Sequence, residues 1–474
     1  MNKYSRIGDI SIYDDLESKI LIAPKTATWL RCRPEHLDFL LNIPVFPETV
    51  TYDECIAKNS SIDEPEANYL LSKFFEECFI YRDNQLDESN FICHPKLSAI
   101  NTIVFNVTDS CNLRCKYCYA DSTKGKNMQF NIIQKTLELA FSQTDYLNIQ
   151  FSGNGEPLMN YKVLLQSFDL INEYRAKGKR VNISLQTNGV LITKSIARVL
   201  RKEVDKTIVS IDGPKEVTNR FRVNTRGEGA FDDIMKGIQI LREENVPHEL
   251  SATIHTYDLF IPVCEWLMEN STNMFSHNFI WPQGRGKEYA SYGAPNQQLW
   301  VRDHIRLMNM LLEHNKTHTN KLTNRTIRQY VTNTVSRKRI SKCHRSPCGA
   351  GTELISVNEK GHMFPCHAMT VPQLKIGDLS ELSVANVSSL RNHPTVNQLT
   401  NITVENIVEC SQCDFRFICG GPCCNDVFTR FKDIRPELPF ECNYKREFFL
   451  EIIRLISRNK ENVYHLAGLT VPQN

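Results

Sequence analysis

The residues of this chain with the clearest chemical potential are cysteines, of which its 474 residues include 17. Cys111, Cys115 and Cys118 lie on one short stretch, separated by three and by two residues. Nine more crowd the last third of the sequence: Cys343, Cys348, Cys366, Cys410, Cys413, Cys419, Cys423, Cys424 and Cys442. Clustered thiols in a long chain without an export signal are metal ligands more often than disulfides. The other five are scattered, which favours small buried hydrophobic side chains: Cys32, Cys55, Cys78, Cys93 and Cys264.

The three-cysteine stretch fits an iron–sulfur cluster better than a structural zinc site. A closed zinc site takes four ligands, and no fourth cysteine or histidine is nearby in the sequence. Three thiolates fit a [4Fe–4S] cube with one iron left without protein sulfur. The spacing therefore predicts a cluster with one open iron.

The elements that must position this stretch form an alternating pattern from about residue 100 to residue 320. Strands are predicted at 102–107, 147–151, 181–186, 207–211, 250–254 and 278–281, and amphipathic helices at 132–141, 163–174, 193–202, 231–241, 261–268 and 299–312. Parallel neighbours need a crossover connection, so the pattern predicts an α/β fold, a partial (β/α)6 barrel resembling a TIM barrel. The polar motifs of this region follow the strands, at the carboxyl ends where such sheets carry their chemistry.

Two further units flank this predicted barrel, which is assigned to residues 96–320. Residues 1–95 combine strands at 10–13, 19–23 and 79–81 with helices at 36–42 and 64–78, a unit of winged-helix size. The second of these helices is expected to place Tyr69, Leu70, Phe74 and Phe75 on one face. Residues 321–474 are rich in cysteine and loops, apart from a helix at 444–457, and are expected to need metal to hold them.

Charge and hydropathy exclude several classes of partner. Lys plus Arg is 56 and Asp plus Glu is 54, so the formal net charge of +2 argues against nucleic acid and anionic membranes as main partners. The N-terminus lacks an apolar core of signal-peptide length, and no run of 18 apolar residues is present. A soluble, cytoplasmic protein is expected.

The motif CxxxCx(aromatic)C, with Tyr117 as its aromatic residue, resembles the signature of radical S-adenosylmethionine (AdoMet) enzymes. Three more segments match that family in order. Residues 152–157 (SGNGEP) resemble its GGEP motif, residues 186–189 (QTNG) its TNG segment, and residues 210–214 (SIDGP) its S(I/L)DGP segment. The resemblance covers residues 100 to about 290. It implies that AdoMet contacts Tyr117, Gly153, Gly155, Glu156, Gln186, Ser210 and Arg222.

Arg222 is assigned from the family's HDxxR motif. Thr218 and Asn219 stand in the first two places of that motif here, and Arg222 keeps the last. The resemblance makes Arg222 the candidate for the AdoMet carboxylate, with Ser210 as helper. It also implies the chemistry. One electron from a cluster held by the three cysteines cleaves AdoMet and releases a 5′-deoxyadenosyl radical, while the protein supplies aim and excludes water.

The cysteine pattern of the tail resembles the SPASM extension of radical AdoMet enzymes, which binds auxiliary [4Fe–4S] clusters. The resemblance to sulfatase-maturating members implies two such clusters and three in all. It assigns Cys343, Cys348, Cys366 and Cys423 to the first auxiliary cluster and Cys410, Cys413, Cys419 and Cys442 to the second. Cys424 is interpreted as a spare that could substitute as a ligand. A pair of zinc ribbons is the alternative for the whole array.

His367 stands where the sulfatase-maturating enzymes carry a catalytic Asp. We interpret His367 as a catalytic group that could deprotonate a substrate thiol or amide, since the unperturbed pKa of histidine lies near neutrality. The alternative is a hydrogen bond from His367 to a cluster sulfur.

The substrate hypothesis follows from the flanking units. SPASM members typically modify peptides, and the pattern of residues 1–95 resembles the winged-helix element that captures a leader peptide as an added strand. The first hypothesis is a maturase that installs a crosslink in a ribosomally made precursor peptide, with an electron donor such as flavodoxin or ferredoxin. A thioether is the first product expected, and a carbon–carbon or carbon–oxygen crosslink the second. Formylglycine formation in a sulfatase is the runner-up, and a non-catalytic iron–sulfur or zinc scaffold is the third hypothesis.

Overall fold

The computed structural model describes residues 2–87, 99–152, 154–289, 297–337, 339, 341–435 and 442–470. Its strands, in chain order, are β1 Lys3–Arg6, β2 Ser11–Asp15, β3 Ser18–Ala23, β4 Thr28–Cys32, β5 Val50–Thr51, β6 Ile80–Arg82, β7 Thr102–Phe105, β8 Tyr146–Phe151, β9 Arg180–Thr187, β10 Lys206–Ser210, β11 His248–Ile254, β12 Met274–Phe279, β13 Thr323–Asn324, β14 Leu354–Val357, β15 His362–Phe364 and β16 Gly377–Asp378.

The helices, also in chain order, are α1 Pro34–Leu41, α2 Tyr52–Ala57, α3 Glu64–Glu76, α4 Phe130–Phe141, α5 Tyr161–Ala176, α6 Lys194–Glu203, α7 Lys215–Phe221, α8 Phe231–Glu243, α9 Phe260–Asn270, α10 Gln297–Thr317, α11 Arg325–Val335, α12 Pro394–Thr400, α13 Val408–Ser411, α14 Arg416–Cys419, α15 Cys424–Phe431, α16 Cys442–Arg458 and α17 Lys460–Leu466. Among the described residues, no helix combines the length and the hydropathy needed to cross a bilayer.

The predicted parallel sheet is confirmed. Strands β7 to β12 lie in chain order, each parallel to the next, with helices in the crossovers. The predicted bounds of the first five strands agree with the structure to within two residues. The sixth was predicted at 278–281 but runs from Met274 to Phe279. Its polar residues Ser276 and His277, which are buried here, had interrupted the apolar run that signals a strand.

The sheet extends at both edges into the last third of the chain. β13 pairs in parallel with β12, and β14 pairs in parallel with β7 through registers such as Ile355 with Ile103. β15 and β16 then continue the sheet in antiparallel fashion. A helix not predicted from the sequence, α11, buries Ile327, Tyr330 and Val331. The division of the chain into 1–95, 96–320 and 321–474 stays a prediction.

The N-terminal unit (residues 2–87) contains two small sheets with the strand orders β5-β1-β6 and β2-β3-β4, and three helices. Leu70, Leu71 and Phe74 of α3 pack in its core. The prediction that Tyr69 shares this buried face is wrong, since its side chain is 63% exposed. Leu71 takes its place because the core-facing stripe of the helix runs through residues 67, 70, 71 and 74.

A pair of neutral histidines is buried in the wall of the barrel. His277 on β12 and His304 on α10 approach through their Nε2 atoms at 3.1 Å. His304 Nδ1 donates to the carbonyl oxygen of Trp300 at 2.8 Å, so its Nε2 is an acceptor. Asn324 Nδ2 donates to His277 Nδ1, because the Oδ1 atom of Asn324 already caps α11. The Nε2–H of His277 therefore donates to His304, and both rings are neutral.

This pair should make folding stability fall in mild acid. Burial lowers the pKa of His277 to about 3 and that of His304 well below its usual range. Both pKa values lie below the unfolded-state value near 6.5. The contribution of the pair to the free energy of unfolding is therefore fully present above about pH 6.5 and is lost as the pH falls below it. Each neutral histidine contributes about 1.4 kcal/mol per pH unit in that range.

The expected measurement is urea unfolding at several pH values. Relative to the unmodified chain, His304→Gln should reduce the slope of unfolding free energy against pH by about 1.4 kcal/mol per unit between about pH 4.5 and 5.5. His318→Gln is the control, because His318 is exposed at the end of α10. Equal slopes in the His304→Gln variant and the unmodified chain would contradict the assignment.

Candidate active site

The three-cysteine loop (residues 108–118) follows β7, at the carboxyl end of the first barrel strand. Backbone bonds tie it to the end of α7: Arg114 N–H donates to Val223 O at 2.6 Å, and Lys116 N–H donates to Phe221 O at 2.9 Å. On another side, Arg285 donates from its backbone N–H to Cys118 O at 3.0 Å and from its Nε to Cys115 O at 2.9 Å. The loop is held by segments that follow two other barrel strands.

Gly155 brings the second motif onto this loop. A Cβ atom at residue 155 would lie 2.3 Å from the carbonyl oxygen of Ser110 and 2.5 Å from that of Thr108. Real contacts of that length do not occur between a side-chain carbon and a backbone oxygen, so only glycine permits the approach. Gly153, the other predicted glycine of this motif, lies outside the described residues.

The chemistry of the three thiols fits an iron–sulfur cluster. Burial raises the pKa of Cys111 to about 11 and that of Cys115 to about 12. Metal binding displaces the proton from a thiol, so such buried groups become thiolates when they ligate iron. The guanidinium groups of Arg114 and Arg222 act in the opposite direction and favour the thiolate forms.

Glu156 connects the motif after β8 to the motif after β9. Its side chain is buried and accepts three hydrogen bonds, from Asn188 N–H at 2.7 Å, Thr187 Oγ1 at 2.7 Å and Leu158 N–H at 3.1 Å. Burial raises its pKa, and these donors oppose that effect. Asn188 also donates to Asn112 Oδ1 at 2.8 Å inside the three-cysteine loop. Glu156 thus holds two motifs and the loop in one arrangement.

A buried carboxylate, Asp212, lies at the centre of the site. It accepts from Tyr117 Oη at 2.7 Å, from Arg222 Nη2 at 3.0 Å and from Thr253 N–H at 3.0 Å, and its Oδ2 lies 3.2 Å from His255 Nε2. The positive charge of Arg222 and the neighbouring donors outweigh burial and lower its pKa. The same ion pair raises the pKa of Arg222. Asp212 therefore fixes the positions of an aromatic ring and a guanidinium group beside the cysteines.

The remaining predicted AdoMet residues lie at the same edge of the sheet. Gln186 at the end of β9 and Ser210 at the end of β10 approach to 3.5 Å. Arg222 is only 6% exposed, and among the described residues no group bonds to its Nε atom. A buried guanidinium with a spare donor fits a carboxylate ligand. The residues present therefore fit AdoMet together with a cluster on the three cysteines.

The tail cysteines form two groups in space. Within each group the thiols lie close enough for the charge of one thiolate to raise the pKa of its neighbours. The first group consists of Cys343, Cys348, Cys366, Cys423 and Cys424, and the second of Cys410, Cys413, Cys419 and Cys442. A thiol hydrogen bond from Cys424 lowers the pKa of Cys348 to about 7, and one from Cys410 lowers that of Cys442 to about 6. In the part of the chain that the structure describes, no three His, Cys, Asp or Glu side chains meet as around a single metal ion.

His367 lies where the three-cysteine loop approaches the first tail group. Its Nδ1 is 3.5 Å from Cys366 Sγ, and its ring is 5.9 Å from that of Trp281, which follows β12. The ring of Tyr119, next to Cys118, lies 5.1 Å from that of Trp281. Burial lowers the pKa of His367. The structure therefore places His367 between the predicted cluster ligands and an aromatic wall shared with the barrel.

Sequence reasoning missed two functional residues of this site. Asp212 was noticed only as part of the SIDGP segment, and His255 was not singled out. His255 is buried between Phe221, whose ring lies parallel at 3.6 Å, and Tyr117, whose ring is 4.6 Å away. Its position one residue beyond β11, at a carboxyl strand end, was the available signal.

Comparison with known proteins agrees with this geometry. The model of the radical SAM superfamily matches residues 105–264. The chain is 23% identical over 392 residues to the serine-type anaerobic sulfatase-maturating enzyme of Bacteroides thetaiotaomicron, covering 76% of this chain and 90% of the relative. It is 30% identical over 213 residues to the radical SAM cyclopropyl synthase TigE of Paramaledivibacter caminithermalis, covering 39% of this chain and 44% of that enzyme.

Solved structures share the fold. Native anSMEcpe with bound AdoMet superposes with a TM-score of 0.66 at 18% identity, covering 78% of this chain and 99% of that one. Streptococcus suis SuiB bound to precursor peptide SuiA superposes with a TM-score of 0.55 at 15% identity, covering 93% and 99%.

The cysteine loop, the motifs after the strands and the match over residues 105–264 identify a radical SAM domain, and the chain that contains it is an enzyme. A radical SAM domain implies AdoMet and a [4Fe–4S] cluster as cofactors. Over 69–76% of its length the chain is also similar to anaerobic sulfatase-maturating enzymes.

Proposed function

We propose that this enzyme installs an intramolecular crosslink, first of all a thioether, in a ribosomally made precursor peptide. The observation that carries the proposal is the open edge of the N-terminal sheet. β4 is an outer strand of the sheet β2-β3-β4, and within the described residues no strand pairs with its outer side. The other outer strand, β2, is covered, since Arg454 of α16 donates to Asp14 O at 3.2 Å.

An extended leader peptide can add to β4 as a further strand. Backbone hydrogen bonds supply affinity in this mode, and alternating side-chain pockets supply specificity. Trp29 and Leu30 on β4 are half-buried and leave apolar surface for such contacts. Trp29 also connects β4 to α11, because its Nε1 donates a hydrogen bond to Thr334 O at 2.8 Å. SuiB, whose structure was determined with its precursor peptide, matches more of this chain than anSMEcpe does.

The residues of the site have separate roles in this proposal. Cys111, Cys115 and Cys118 would hold the [4Fe–4S] cluster, whose chemistry would be one-electron reduction of AdoMet. Gly155 and Ser210 would line the AdoMet site, and Arg222 would pair with the AdoMet carboxylate through donors that Asp212 does not occupy.

Two auxiliary clusters on the tail cysteines would accept the electron that the crosslinking oxidation releases. His367 is the proposed catalytic residue, placed to receive a substrate proton beside Cys366. An acidic electron carrier of the flavodoxin or ferredoxin class is the proposed donor, and the cytoplasm the proposed location.

The test begins with the reading frames that neighbour this gene and uses, as synthetic substrate, a short cysteine-containing peptide that they encode. The reconstituted enzyme with AdoMet and dithionite should yield a peptide lighter by two hydrogens, with one cysteine no longer alkylated by iodoacetamide. Removing the leader from the same peptide should lower turnover more than about tenfold, because remote binding energy is lost. No mass change in the full-length peptide would contradict the function, and equal turnover without the leader would contradict the role of β4.

The same mass measurement distinguishes thioether formation from the two alternative reactions. A loss of two hydrogens with every cysteine still alkylated indicates a carbon–carbon or carbon–oxygen crosslink, which the similarity to the cyclopropyl synthase favours. An aldehyde that reacts with a hydrazine reagent indicates formylglycine, which the similarity to sulfatase-maturating enzymes favours. His367, in place of the aspartate of those enzymes, argues for a crosslink.

A further inference from the structure

The N-terminal unit contacts the second tail cysteine group directly. Tyr13 on β2 donates a hydrogen bond from its hydroxyl to Asp414, the residue after Cys413. The ring of Tyr13 packs 6.0 Å from that of Phe415, which is itself buried. The turn that carries Cys413 is therefore covered by a strand from the opposite end of the sequence.

A buried arginine makes a second bridge between the same two regions. Arg416 is 8% exposed. It donates from Nη1 to Cys413 O at 2.9 Å and from Nη2 to Asp9 Oδ2 at 2.9 Å. Asp9 is the only carboxylate among these contacts, so it supplies the countercharge that lets the guanidinium stay buried on the cysteine turn.

A third set of contacts anchors β2 to α16, the helix that begins at Cys442. Asp15 is buried, and its Oδ1 accepts from Arg458 Nη2 at 3.1 Å. Arg454 donates to the backbone oxygen of Asp14. Since Cys442 belongs to the same group as Cys413, β2 contacts two of the segments that supply its thiols.

We propose that the N-terminal unit has a second function, distinct from peptide capture: it completes the second auxiliary cluster site. Tyr13 and Asp9 are positioning residues that hold the Cys410–Cys419 segment closed around the cluster. This inference rests on the proposed assignment of an auxiliary cluster to Cys410, Cys413, Cys419 and Cys442. Deleting residues 1–95 would therefore remove a metal site as well as the leader-binding edge.

The test is the anaerobic release of iron to a chelator from fully reconstituted protein. In Tyr13→Phe and in Asp9→Asn, about four of the roughly twelve irons should leave about tenfold faster. The first variant removes the hydrogen bond to Asp414, and the second removes the countercharge of the buried Arg416 guanidinium. Asp14→Asn is the matched control: Asp14 lies on the same strand, but its side chain pairs within the unit with Lys19. Its release rate should equal that of the unmodified chain.

Two results would overturn the proposal. One is release at the unmodified rate from both variants, and the other is equal acceleration of all irons, which indicates general loosening of the fold. A tail that contains zinc instead of iron would overturn the cluster assignment on which the proposal rests. Failure of the peptide-capture proposal is distinguishable, because it appears as leader-independent turnover while iron release still responds to Tyr13 and Asp9.

Discussion

Replacing Cys115 with alanine should abolish the release of 5′-deoxyadenosine from AdoMet. Burial raises the pKa of the Cys115 thiol to about 12, above the value of about 11 for Cys111, although the charge of Arg222 opposes that effect. Arg285 Nε holds the loop here by donating to Cys115 O. Removing groups that only support a metal ligand costs about 10–100-fold, so removing a ligand should cost more than about 100-fold. The measurement is 5′-deoxyadenosine formed per chain, with dithionite as reductant and no peptide.

Two variants make the result specific to this cluster. Cys55→Ala, at a buried cysteine of the N-terminal unit, should leave 5′-deoxyadenosine release within about twofold of the unmodified chain, because a small buried thiol contributes packing only. Cys413→Ala should spare much of the cleavage but lose the crosslinked product. Substantial 5′-deoxyadenosine from the Cys115→Ala protein would overturn the assignment of the open-iron cluster to this loop.

Replacing Asp212 with asparagine should damage both stability and AdoMet binding. The substitution leaves the Arg222 guanidinium buried without its countercharge. It also replaces with an amide NH2 one of the two oxygens that accept from Thr253 N–H and from Tyr117 Oη. Breaking a buried ion pair on one side costs about 3–5 kcal/mol. Arg222 and Tyr117 both belong to the AdoMet site, so we expect the dissociation constant for AdoMet to rise by at least about tenfold, equivalent to about 1.4 kcal/mol.

The control is a nearby ion pair that is exposed to solvent, whereas the Asp212–Arg222 pair is buried. Asp232 pairs with Lys215 at 2.7 Å on the surface of α8 and α7, and both side chains are exposed. Asp232→Asn should change the free energy of unfolding by less than about 1 kcal/mol. The measurements are anaerobic urea unfolding and equilibrium dialysis of AdoMet. If Asp212→Asn and Asp232→Asn behave alike in both, the central role of Asp212 is wrong.

Much of the barrel could be predicted because its signals are local. Alternating apolar runs and amphipathic stretches located five of six strands within two residues, since burial of a parallel strand demands a continuous apolar run. The bounds of β12 were predicted wrongly because the buried polar residues Ser276 and His277 interrupt its apolar run. His277 is buried with a neutral partner on α10, and a histidine that is satisfied only by a residue far along the chain looks like a loop residue in sequence.

The candidate site divides in the same way. Tyr117, Glu156 and Arg222 were found from motifs, yet their partners were not. The role of Glu156 as a tie between Asn188 and Thr187, and the contact of Asp212 with His255, join residues that lie tens of positions apart. The spacing of residues along the chain does not predict which buried acceptor will bind a donor from a distant segment.

The amino-acid sequence by itself determined the three-cysteine loop, the order of the barrel strands and the chemical class of the enzyme. These depend on residues within one loop or one turn of helix, where covalent spacing sets the geometry. Only the tertiary structure decided that Asp212 organises the AdoMet site and that Tyr13 and Asp9 reach the turn around Cys413. Those contacts join residues up to 407 positions apart. They form because a buried polar group needs a hydrogen-bond partner, and which partner lies within reach depends on how the whole chain packs.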